Sequence, residues 1–408
     1  MEALDLNFVR SQFPAFSVPD LKGLSFFENA GGSYPTGAVV SRLARFYHSR
    51  KVQPYANYSA SRLGGQEMDE ARERLSSLLN VTKETLHFGP STSQNTYVLS
   101  QAFRNFPSTR RVIIVTNQDH EANTGSWRKL EADGFLIREW KVNKDSGTLS
   151  KSDLEVLLDD KVLLVTFPHC SNILGEINPV TEICKLVKEA GAFSCVDGVS
   201  YAPHGFSDLG LLGADIYLFS SYKTYGPHLG IMYICDELNR LLPNQGHYFN
   251  ESAATKKFTP AGPDHAQIAA AAGIVDYFEA LYRHQFRKNS ELSNIALKVS
   301  QLQRRHEEEL LSRLLNYLNN RKDTRILGPI TPESRVPTVS LDIGDRSKDV
   351  AAKLAKDGIM ADAGDFYAVR LLDALGVDLN YGVLRLSFVH YTSGEDVEKL
   401  IESLDKNL

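Results

Sequence analysis

Side chains with catalytic or ligand-binding groups follow directly after the apolar runs of this sequence. The set comprises Ser91, Thr92 and Ser93 after the run at 86–88, His120 after 111–117, Asn172 after 161–167, Asp197 at the end of 192–197, and Lys223 after 215–221. In open α/β sheets, ligands bind beyond the carboxyl ends of the strands. A packed core would leave an imidazole, an amide, a carboxylate and an amine there without partners, so the pattern predicts a ligand site.

This mixture of groups suits pyridoxal phosphate. Lys223 would form a Schiff base with its aldehyde, and Asp197 would hold the proton on its pyridine nitrogen. The hydroxyl-rich turn at 91–93 suits its phosphate, His120 would stack on the ring, and Asn172 would orient the ring near its hydroxyl. Singly, each residue has an ordinary interpretation: a surface lysine, a capping aspartate, a loop histidine or a plain N-cap cluster. Only the joint arrangement favours the cofactor.

The elements that must position these groups alternate between two patterns. The runs at 111–117, 161–167 and 192–197 are apolar throughout, which is typical of strands covered on both faces. Helical patterns lie between them, and the segment 180–191 is the clearest, with Asn178 expected as N-cap and Pro179 as the first helical residue. This βαβ order predicts an α/β fold with a mostly parallel sheet.

After about residue 265 the alternation of strand and helix patterns gives way to long helical patterns. One long helix is expected over 265–284 and a second, with a charged outer face, over 286–322. Strand patterns follow at 336–343 and 383–391. We therefore predict a large cofactor-binding domain over 1–265 and a smaller α+β domain over 266–408, with the segment 1–20 packing on the small domain. The charged helix face is interpreted as solvated rather than as a partner surface.

Composition excludes several classes of protein. The 408 residues carry 45 Lys and Arg against 50 Asp and Glu, a net charge of −5, which argues against a nucleic-acid partner. The four cysteines have no CxxC spacing or paired histidines, so neither a disulfide framework nor a metal site is predicted. The N-terminus lacks a secretory pattern, and no apolar stretch reaches the ~18 residues of a membrane span. A cytoplasmic location, with no membrane partner, is expected.

Six segments, in order along nearly the whole chain, resemble one family. They are FENAGGS (27–33), QDHEAN (118–123), HCSNILGEINPV (169–180), CVDGVSYAPHG (195–205), FSSYKTYGPHLG (219–230) and LRLSFVHYTSGEDVEKLI (384–401). Together they resemble the class V aminotransferase family of fold-type I pyridoxal-phosphate enzymes, in its cysteine desulfurase-like branch. The resemblance implies a mostly parallel seven-stranded sheet sandwiched by helices, with a smaller α+β C-terminal domain. It also implies a homodimer with the active site at the interface and the turn 259–263 offered to the partner's phosphate.

The same resemblance implies a role for each matching residue. Lys223 would form the internal aldimine and shuttle the proton, with His120 and Asp197 as the other catalytic residues. Cofactor contacts would come from Ser91, Thr92, Ser93, His120, Asn172, Asp197, Ser200, Ser220, Tyr222 and Lys223. Arg385 would clamp the α-carboxylate of a small amino-acid substrate, because its planar fork binds a carboxylate in two places. Asn29 and Ala30 would lie close to that substrate.

The sequence departs from the desulfurase pattern at several places. Desulfurases carry a sulfur-accepting cysteine ahead of the carboxylate-binding arginine, and here the last cysteine is Cys235. Tyr222 replaces a histidine, Ser200 replaces a glutamine, and the Gly-Thr turn reads Gly262-Pro263.

The hypothesis is therefore a pyridoxal-phosphate enzyme acting on a small amino acid with aminotransferase-type chemistry and without a persulfide. A C–S lyase acting on cysteine or selenocysteine, or an epimerase, is the alternative. A non-catalytic relative is disfavoured by the presence of Lys223, and a nicotinamide oxidoreductase by the absence of GxGxxG after a first strand.

Overall fold

The computed structural model describes residues 3–408 as an α/β fold. Its strands are β1 Ser25–Phe26, β2 Leu86–Gly89, β3 Val112–Thr116, β4 Leu136–Trp140, β5 Val162–Pro168, β6 Phe193–Asp197, β7 Ile216–Ser220, β8 Gly230–Ile234, β9 Arg325–Leu327, β10 Thr338–Asp342, β11 Ile359–Met360, β12 Asp362–Gly364 and β13 Val383–Ser387. Its helices are α1 Leu6–Ser11, α2 Gly37–Ser49, α3 Ser59–Leu78, α4 Thr92–Arg104, α5 Glu121–Arg128, α6 Lys151–Leu157, α7 Val180–Glu189, α8 Leu209–Leu212, α9 Asp236–Leu241, α10 His265–Ala270, α11 Ala272–Phe286, α12 Leu292–Asn319, α13 Ser347–Lys356, α14 Val369–Ala374 and α15 Gly394–Asn407.

A seven-stranded sheet in the order β2-β8-β7-β6-β5-β3-β4 forms the centre of the molecule. The pairs from β7 to β4 are all parallel, and only β8 runs against its neighbours β7 and β2. Two antiparallel steps make β2 point the same way as β7. The carboxyl ends of β2, β7, β6, β5 and β3 therefore share one edge, and the predicted mostly parallel seven-stranded sheet is confirmed.

The apolar runs form the buried strands of this sheet. Every residue of β2, β3, β5 and β7 is buried, as expected for strands covered by helices on both faces. Strand β4 was not predicted, because its sequence LIREW mixes charged and apolar residues. It lies at the sheet edge, where one side of the strand meets solvent and polar residues are tolerated.

Three helix predictions need correction. The helix predicted over 286–322 spans Leu292–Asn319, because the left-handed backbone of Arg287 ends the preceding helix first. Asn178 does not cap α7: the cap position is Pro179, and the Asn178 side chain donates instead to Gln118 Oε1 at 2.7 Å and to the Pro168 carbonyl at 2.8 Å. The helix predicted over 265–284 is interrupted at Ala271 and continues as α11. In α11, a Cβ at Gly273 would overlap the backbone of Val39, so this glycine lets α2 and α11 pack closely.

A second, four-stranded antiparallel sheet in the order β12-β13-β10-β9 carries Arg385 on β13. It packs with α12, α13 and α15 around a separate apolar cluster that contains Leu314, Leu341, Leu386 and Leu400. Near the N-terminus, Arg10 donates to the Tyr391 carbonyl at 2.9 Å and pairs with Asp396. The domain boundary at 265/266 stays a prediction, and residues 1–2 of the segment 1–20 lie outside the described residues.

Within residues 3–408, no helix is long and apolar enough to cross a membrane. The same part of the chain holds no group of three or more His, Cys, Asp or Glu side chains that could bind a metal ion.

Candidate active site

A cavity of about 170 Å³ opens at the shared carboxyl edge of the central sheet. All ten residues predicted to contact the cofactor line it: Ser91, Thr92, Ser93, His120, Asn172, Asp197, Ser200, Ser220, Tyr222 and Lys223. They come from the ends of β2, β3, β5, β6 and β7 and from the start of α4, which the sheet order brings together. Their individual roles stay predictions.

Lys223 lies one turn beyond β7 and is 6 % exposed. No hydrogen bond from residues 3–408 reaches its Nζ. Burial lowers the pKa of Lys223 to about 8, and the nearby charge of Arg385 acts in the same direction, while Asp197 and Glu28 oppose it. An amine of this kind is part neutral near neutral pH and can act as a nucleophile or base.

Asp197 is the last residue of β6 and is buried. Its Oδ1 accepts a hydrogen bond from the Val199 backbone N–H at 2.8 Å, and no described residue donates to its Oδ2. Burial raises the pKa of Asp197 to about 6, against the effects of the Val199 N–H and of the Lys223 charge. A fixed carboxylate with one open oxygen can hold a proton on a heterocyclic nitrogen.

His120 caps the first turn of α5. Its Nδ1 accepts a hydrogen bond from the Ala122 backbone N–H at 3.0 Å. Burial lowers the pKa of His120 to about 4, with Lys223 and Arg385 adding to the shift, so the imidazole is neutral at neutral pH. A neutral, fixed ring offers a flat face against which a planar ligand can stack.

The hydroxyl-rich turn is tied to the end of β7. Ser91 Oγ accepts from the Gln94 backbone N–H at 3.1 Å and so caps α4, as the ordinary interpretation of this cluster required. The hydroxyl groups of Thr92 and Ser220 are hydrogen-bonded at 2.7 Å. A Cβ at Gly230 would overlap the Ser91 backbone, which makes this close approach possible only with glycine. The 13-residue α4 thus presents its N-terminus to the cavity, where an anion would be stabilised.

The three predicted substrate contacts do not line the cavity. Asn29 donates to the carbonyls of Phe26 and Ser387, both at 3.3 Å, and accepts from the Tyr391 hydroxyl. Ala30 N–H donates to Ser387 Oγ at 2.8 Å. Both residues therefore hold the segment 29–30 onto the small sheet, and a direct substrate contact by either stays a prediction.

Arg385, the third of these residues, lies behind Asn172 and is 3 % exposed. Its Nη1 donates to the Asn172 carbonyl at 3.3 Å and its Nη2 to Glu28 Oε1 at 2.6 Å. The ring of Phe366 covers the guanidinium face at 3.7 Å. The proposed carboxylate clamp is thus adjacent to the cavity and already holds a carboxylate of the chain itself.

Sequence analysis missed several residues of the site. His228 lines the cavity and stacks on Tyr222, with ring centroids 4.9 Å apart. Glu28 and Phe366 contact Arg385 from segments that are distant in sequence. Only His228 had a local signal in the sequence. It stands in GPHLG, five residues after Lys223, and like Lys223 it follows the end of β7.

The residues present fit pyridoxal phosphate. The cavity combines a buried amine without a hydrogen-bond partner among residues 3–408, a buried carboxylate with an open oxygen, a neutral imidazole face and a helix N-terminus lined with hydroxyl groups. In addition, Asn172 donates its Nδ2 to the Phe366 carbonyl at 2.9 Å, and its buried Oδ1 has no partner within residues 3–408. A buried polar atom without a partner indicates a ligand that is to satisfy it.

Similarity to known proteins extends over nearly the whole length of the chain. The sequence model of the Aminotransferase class-V family matches residues 25–400. The Aminotransferase-like protein FGM3 of Gibberella zeae is 32 % identical over 97 % of this chain and 97 % of its own length. The cysteine desulfurase of Yersinia pseudotuberculosis is 27 % identical over 98 % of this chain and 97 % of its own length.

Among solved structures, the cysteine desulfurase of Thermococcus onnurineus superposes with a TM-score of 0.83 at 23 % identity, covering 100 % of this chain and 98 % of that one. This likeness shows the fold, and it agrees with the α/β architecture described above.

Proposed function

The chain belongs to the class-V aminotransferase family and is a pyridoxal-phosphate-dependent enzyme, and from this premise we propose that it changes the bonds at Cα of a small amino acid without forming a persulfide. The observation that carries the proposal is the buried Lys223 amine, which has no hydrogen-bond partner within residues 3–408 and faces the same cavity as Asp197.

We assign the cofactor contacts as follows. Lys223 would attach the cofactor covalently, Asp197 would meet the ring nitrogen, and His120 would cover one ring face. Ser91, Thr92, Ser93, Ser220 and Tyr222 would hold the phosphate, whereas Asn172 and Ser200 would contact the ring. Bound there, pyridoxal phosphate supplies an electron sink that stabilises negative charge at Cα.

Side chains of this protein would bind and transfer the protons and hold the substrate. Asp197 would keep a proton on the ring nitrogen, because a buried carboxylate beside it stabilises the cationic form. Lys223 Nζ, whose pKa burial lowers to about 8 in the unbound amine, would accept the Cα proton once the substrate's amine has replaced it on the cofactor, and would return that proton at another atom. Arg385 would hold the α-carboxylate and thereby orient the bonds at Cα.

The four cysteines do not favour sulfur transfer. Cys170 lines the cavity, but its Sγ donates to the Gly175 carbonyl at 3.2 Å, and burial raises the pKa of this thiol. Burial also raises the pKa of Cys184 to about 12 and that of Cys235 to about 11, and it raises the pKa of the buried Cys195. Thiols held in the protonated form are poor nucleophiles.

A C–S lyase that releases its product directly is the second candidate. It is favoured by the similarity to proteins named cysteine desulfurase, which extends over nearly the whole chain. Such a lyase needs no acceptor thiol, so the protonated state of the four cysteines does not argue against it.

We also propose that two copies of this chain form the working enzyme. Large aromatic side chains are exposed, among them Tyr55, Tyr58, Tyr248 and Phe249. Tyr55, Phe88 of β2, His247, the turn 259–263 and His265 line one cavity of about 560 Å³. Exposed apolar surface rimmed by polar groups is typical of a protein interface.

The test uses the purified holoenzyme. It is expected to be yellow, and borohydride should fix the cofactor to the peptide that contains Lys223. Lys223→Ala should lose this adduct, whereas Lys257→Ala, a variant of a lysine that donates to the Asn239 carbonyl at 2.7 Å, should keep it. A protein that takes up no cofactor and gives no adduct at Lys223 would refute the assignment.

The reaction branch is read from the products. Keto acid, ammonia and sulfide are measured after addition of L-alanine, L-serine and L-cysteine. Keto acid without ammonia or sulfide indicates transamination, and sulfide without labelled persulfide indicates the lyase. A labelled persulfide on any of the four cysteines would contradict the proposal.

A further inference from the structure

Arg385 is paired differently from three more exposed arginines of this protein. Arg42, Arg45 and Arg321 each bind a carboxylate side-on, through both Nε and Nη2; for Arg321 with Asp323 the two distances are 2.9 and 2.7 Å. Arg385 meets Glu28 through Nη2 alone, although it is far more buried than those three. The most stable pairing geometry is thus absent at a buried site, where an incompletely paired charge is costly.

The unused atoms of this pair are both buried. Arg385 Nε and Glu28 Oε2 lack a hydrogen-bond partner among residues 3–408, and Asn172 Oδ1, on the cavity wall beside them, lacks one too. Nε and Nη2 form one edge of the guanidinium group, and this edge is the one that a carboxylate with two free oxygens binds best. On that edge, Nε therefore has no acceptor among the described residues, and Nη2 donates to Glu28.

Glu28 has a fixed backbone and a partly exposed side chain. It forms a β-bridge with Ser387, on the same strand as Arg385, and its side chain is 24 % exposed whereas that of Arg385 is 4 % exposed. A Cβ at Gly31 would stand 2.7 Å from Glu28 Oε1, so glycine leaves the space that the carboxylate occupies. The contacts of Arg385 with Phe366 and Asn172 keep the guanidinium in place if Glu28 leaves.

We propose that Glu28 is the resident counter-ion of Arg385, that a substrate's α-carboxylate replaces it on the Nε–Nη2 edge, and that the displaced Glu28 carboxylate selects against substrates with a second negative charge. The inference rests on the proposed function and deepens it. The enzyme then takes amino acids with neutral or cationic side chains and rejects dicarboxylic ones.

The physical reason is the balance of charge in a closed space. A buried guanidinium needs one negative partner at every stage, and exchanging one carboxylate for another keeps that balance. Glu28 stays attached to its fixed backbone after displacement, so its charge remains at the mouth of the site. A second carboxylate on the substrate would face it in a medium of low dielectric constant, whereas an ammonium or a hydroxyl group would be attracted.

The test measures binding of two carboxylates that have no amino group to react, propionate and succinate, by calorimetry with the purified holoenzyme. The wild-type protein should bind propionate at least about tenfold more tightly than succinate. Glu28→Gln should tighten propionate binding about tenfold and reduce the preference over succinate to about threefold or less. Arg385→Met should abolish binding of both. Glu67→Gln, which removes the partner of Arg45 at the surface, is the matched control and should change neither constant.

The outcomes separate this inference from the proposed function. Equal binding of propionate and succinate by the wild-type protein, or a Glu28→Gln variant that binds propionate no better than wild type, overturns the role of Glu28. Either result counts against Glu28 even if borohydride still fixes the cofactor to Lys223, whereas failure of that fixation refutes the proposed function. If Glu28→Gln folds poorly by thermal melting, Glu28→Asp keeps the charge at a shorter reach and should give an intermediate affinity for propionate.

Discussion

The ring of Tyr367 lies against the imidazole of His120, with the ring centroids 5.3 Å apart. Tyr367 and its neighbour Phe366 both have left-handed backbones, with φ of 59° and 49°, which side chains with a Cβ rarely adopt. The turn is held by the Glu121 N–H on the Tyr367 carbonyl and by the Asn172 amide on the Phe366 carbonyl, both at 2.9 Å. Two strained residues from the loop after β12 therefore contact Asn172 and His120, which line the cavity at the edge of the large sheet. Strain of this kind is common at functional sites.

Tyr367→Gly and Tyr367→Ala are expected to separate strain from shielding. Both remove a ring that is 71 % exposed, and both should increase quenching of cofactor fluorescence by iodide. Only glycine adopts the left-handed backbone freely, so Tyr367→Gly should be more stable than Tyr367→Ala by about 1 kcal/mol in urea unfolding. Equal stability of the two variants would show that this backbone is not strained.

His120→Phe should keep the cofactor and His120→Ala should not hold it well. The pKa of His120 is lowered to about 4, so its imidazole contributes a neutral ring face that phenylalanine can supply. We expect the dissociation constant of the cofactor to stay within about threefold for His120→Phe and to rise about tenfold for His120→Ala, measured by equilibrium dialysis. A loss as large in His120→Phe as in His120→Ala would mean that a ring nitrogen of His120 is needed.

The proposed dimer predicts a light-scattering mass of twice one chain. Replacing Tyr248 and Phe249, which are 87 % and 68 % exposed, by serine should shift the protein towards the monomer. Cofactor affinity should fall with it, because the turn 259–263 would no longer reach the partner's phosphate. Val156→Ser on α6, which packs against the opposite edge strand β4, is the control and should leave the mass unchanged. A wild-type protein that is monomeric at working concentration would contradict the dimer.

What the sequence could predict depended on how local the signal was. Lys223, Asp197 and His120 each follow an apolar run, and one sheet edge then brings them together, so the pattern sufficed for the cavity. Glu28 and Arg385 are 357 residues apart, and no spacing rule connects them. The backbone of Phe366 and Tyr367 is left-handed, but neither residue is the Gly or Asn that usually indicates such a turn in a sequence. Asn178 looked like a helix cap because that interpretation uses neighbours only, whereas Gln118 accepts a hydrogen bond from its side chain.

The last prediction concerns Asp119, a buried carboxylate close to Asp197. Its oxygens accept from Thr116 Oγ1 at 2.6 Å and from Asn123 Nδ2 at 2.9 Å, yet burial raises the pKa of Asp119 to about 7. An acid whose pKa is higher in the folded state than its unfolded value of about 4 stabilises the fold below that value, and this stabilisation is lost as pH rises through the folded pKa.

The wild-type protein should therefore lose stability relative to Asp119→Asn between pH 4 and pH 8. The free energy of unfolding of wild type minus that of the variant should fall by roughly 4 kcal/mol over this range, because asparagine does not titrate. Urea unfolding of both apoproteins measures the difference, and taking it between two variants cancels the opposite contribution of the buried histidines His87, His169 and His390, whose pKa values are lowered. A difference that stays constant from pH 4 to pH 8 would show that Asp119 is ionised throughout.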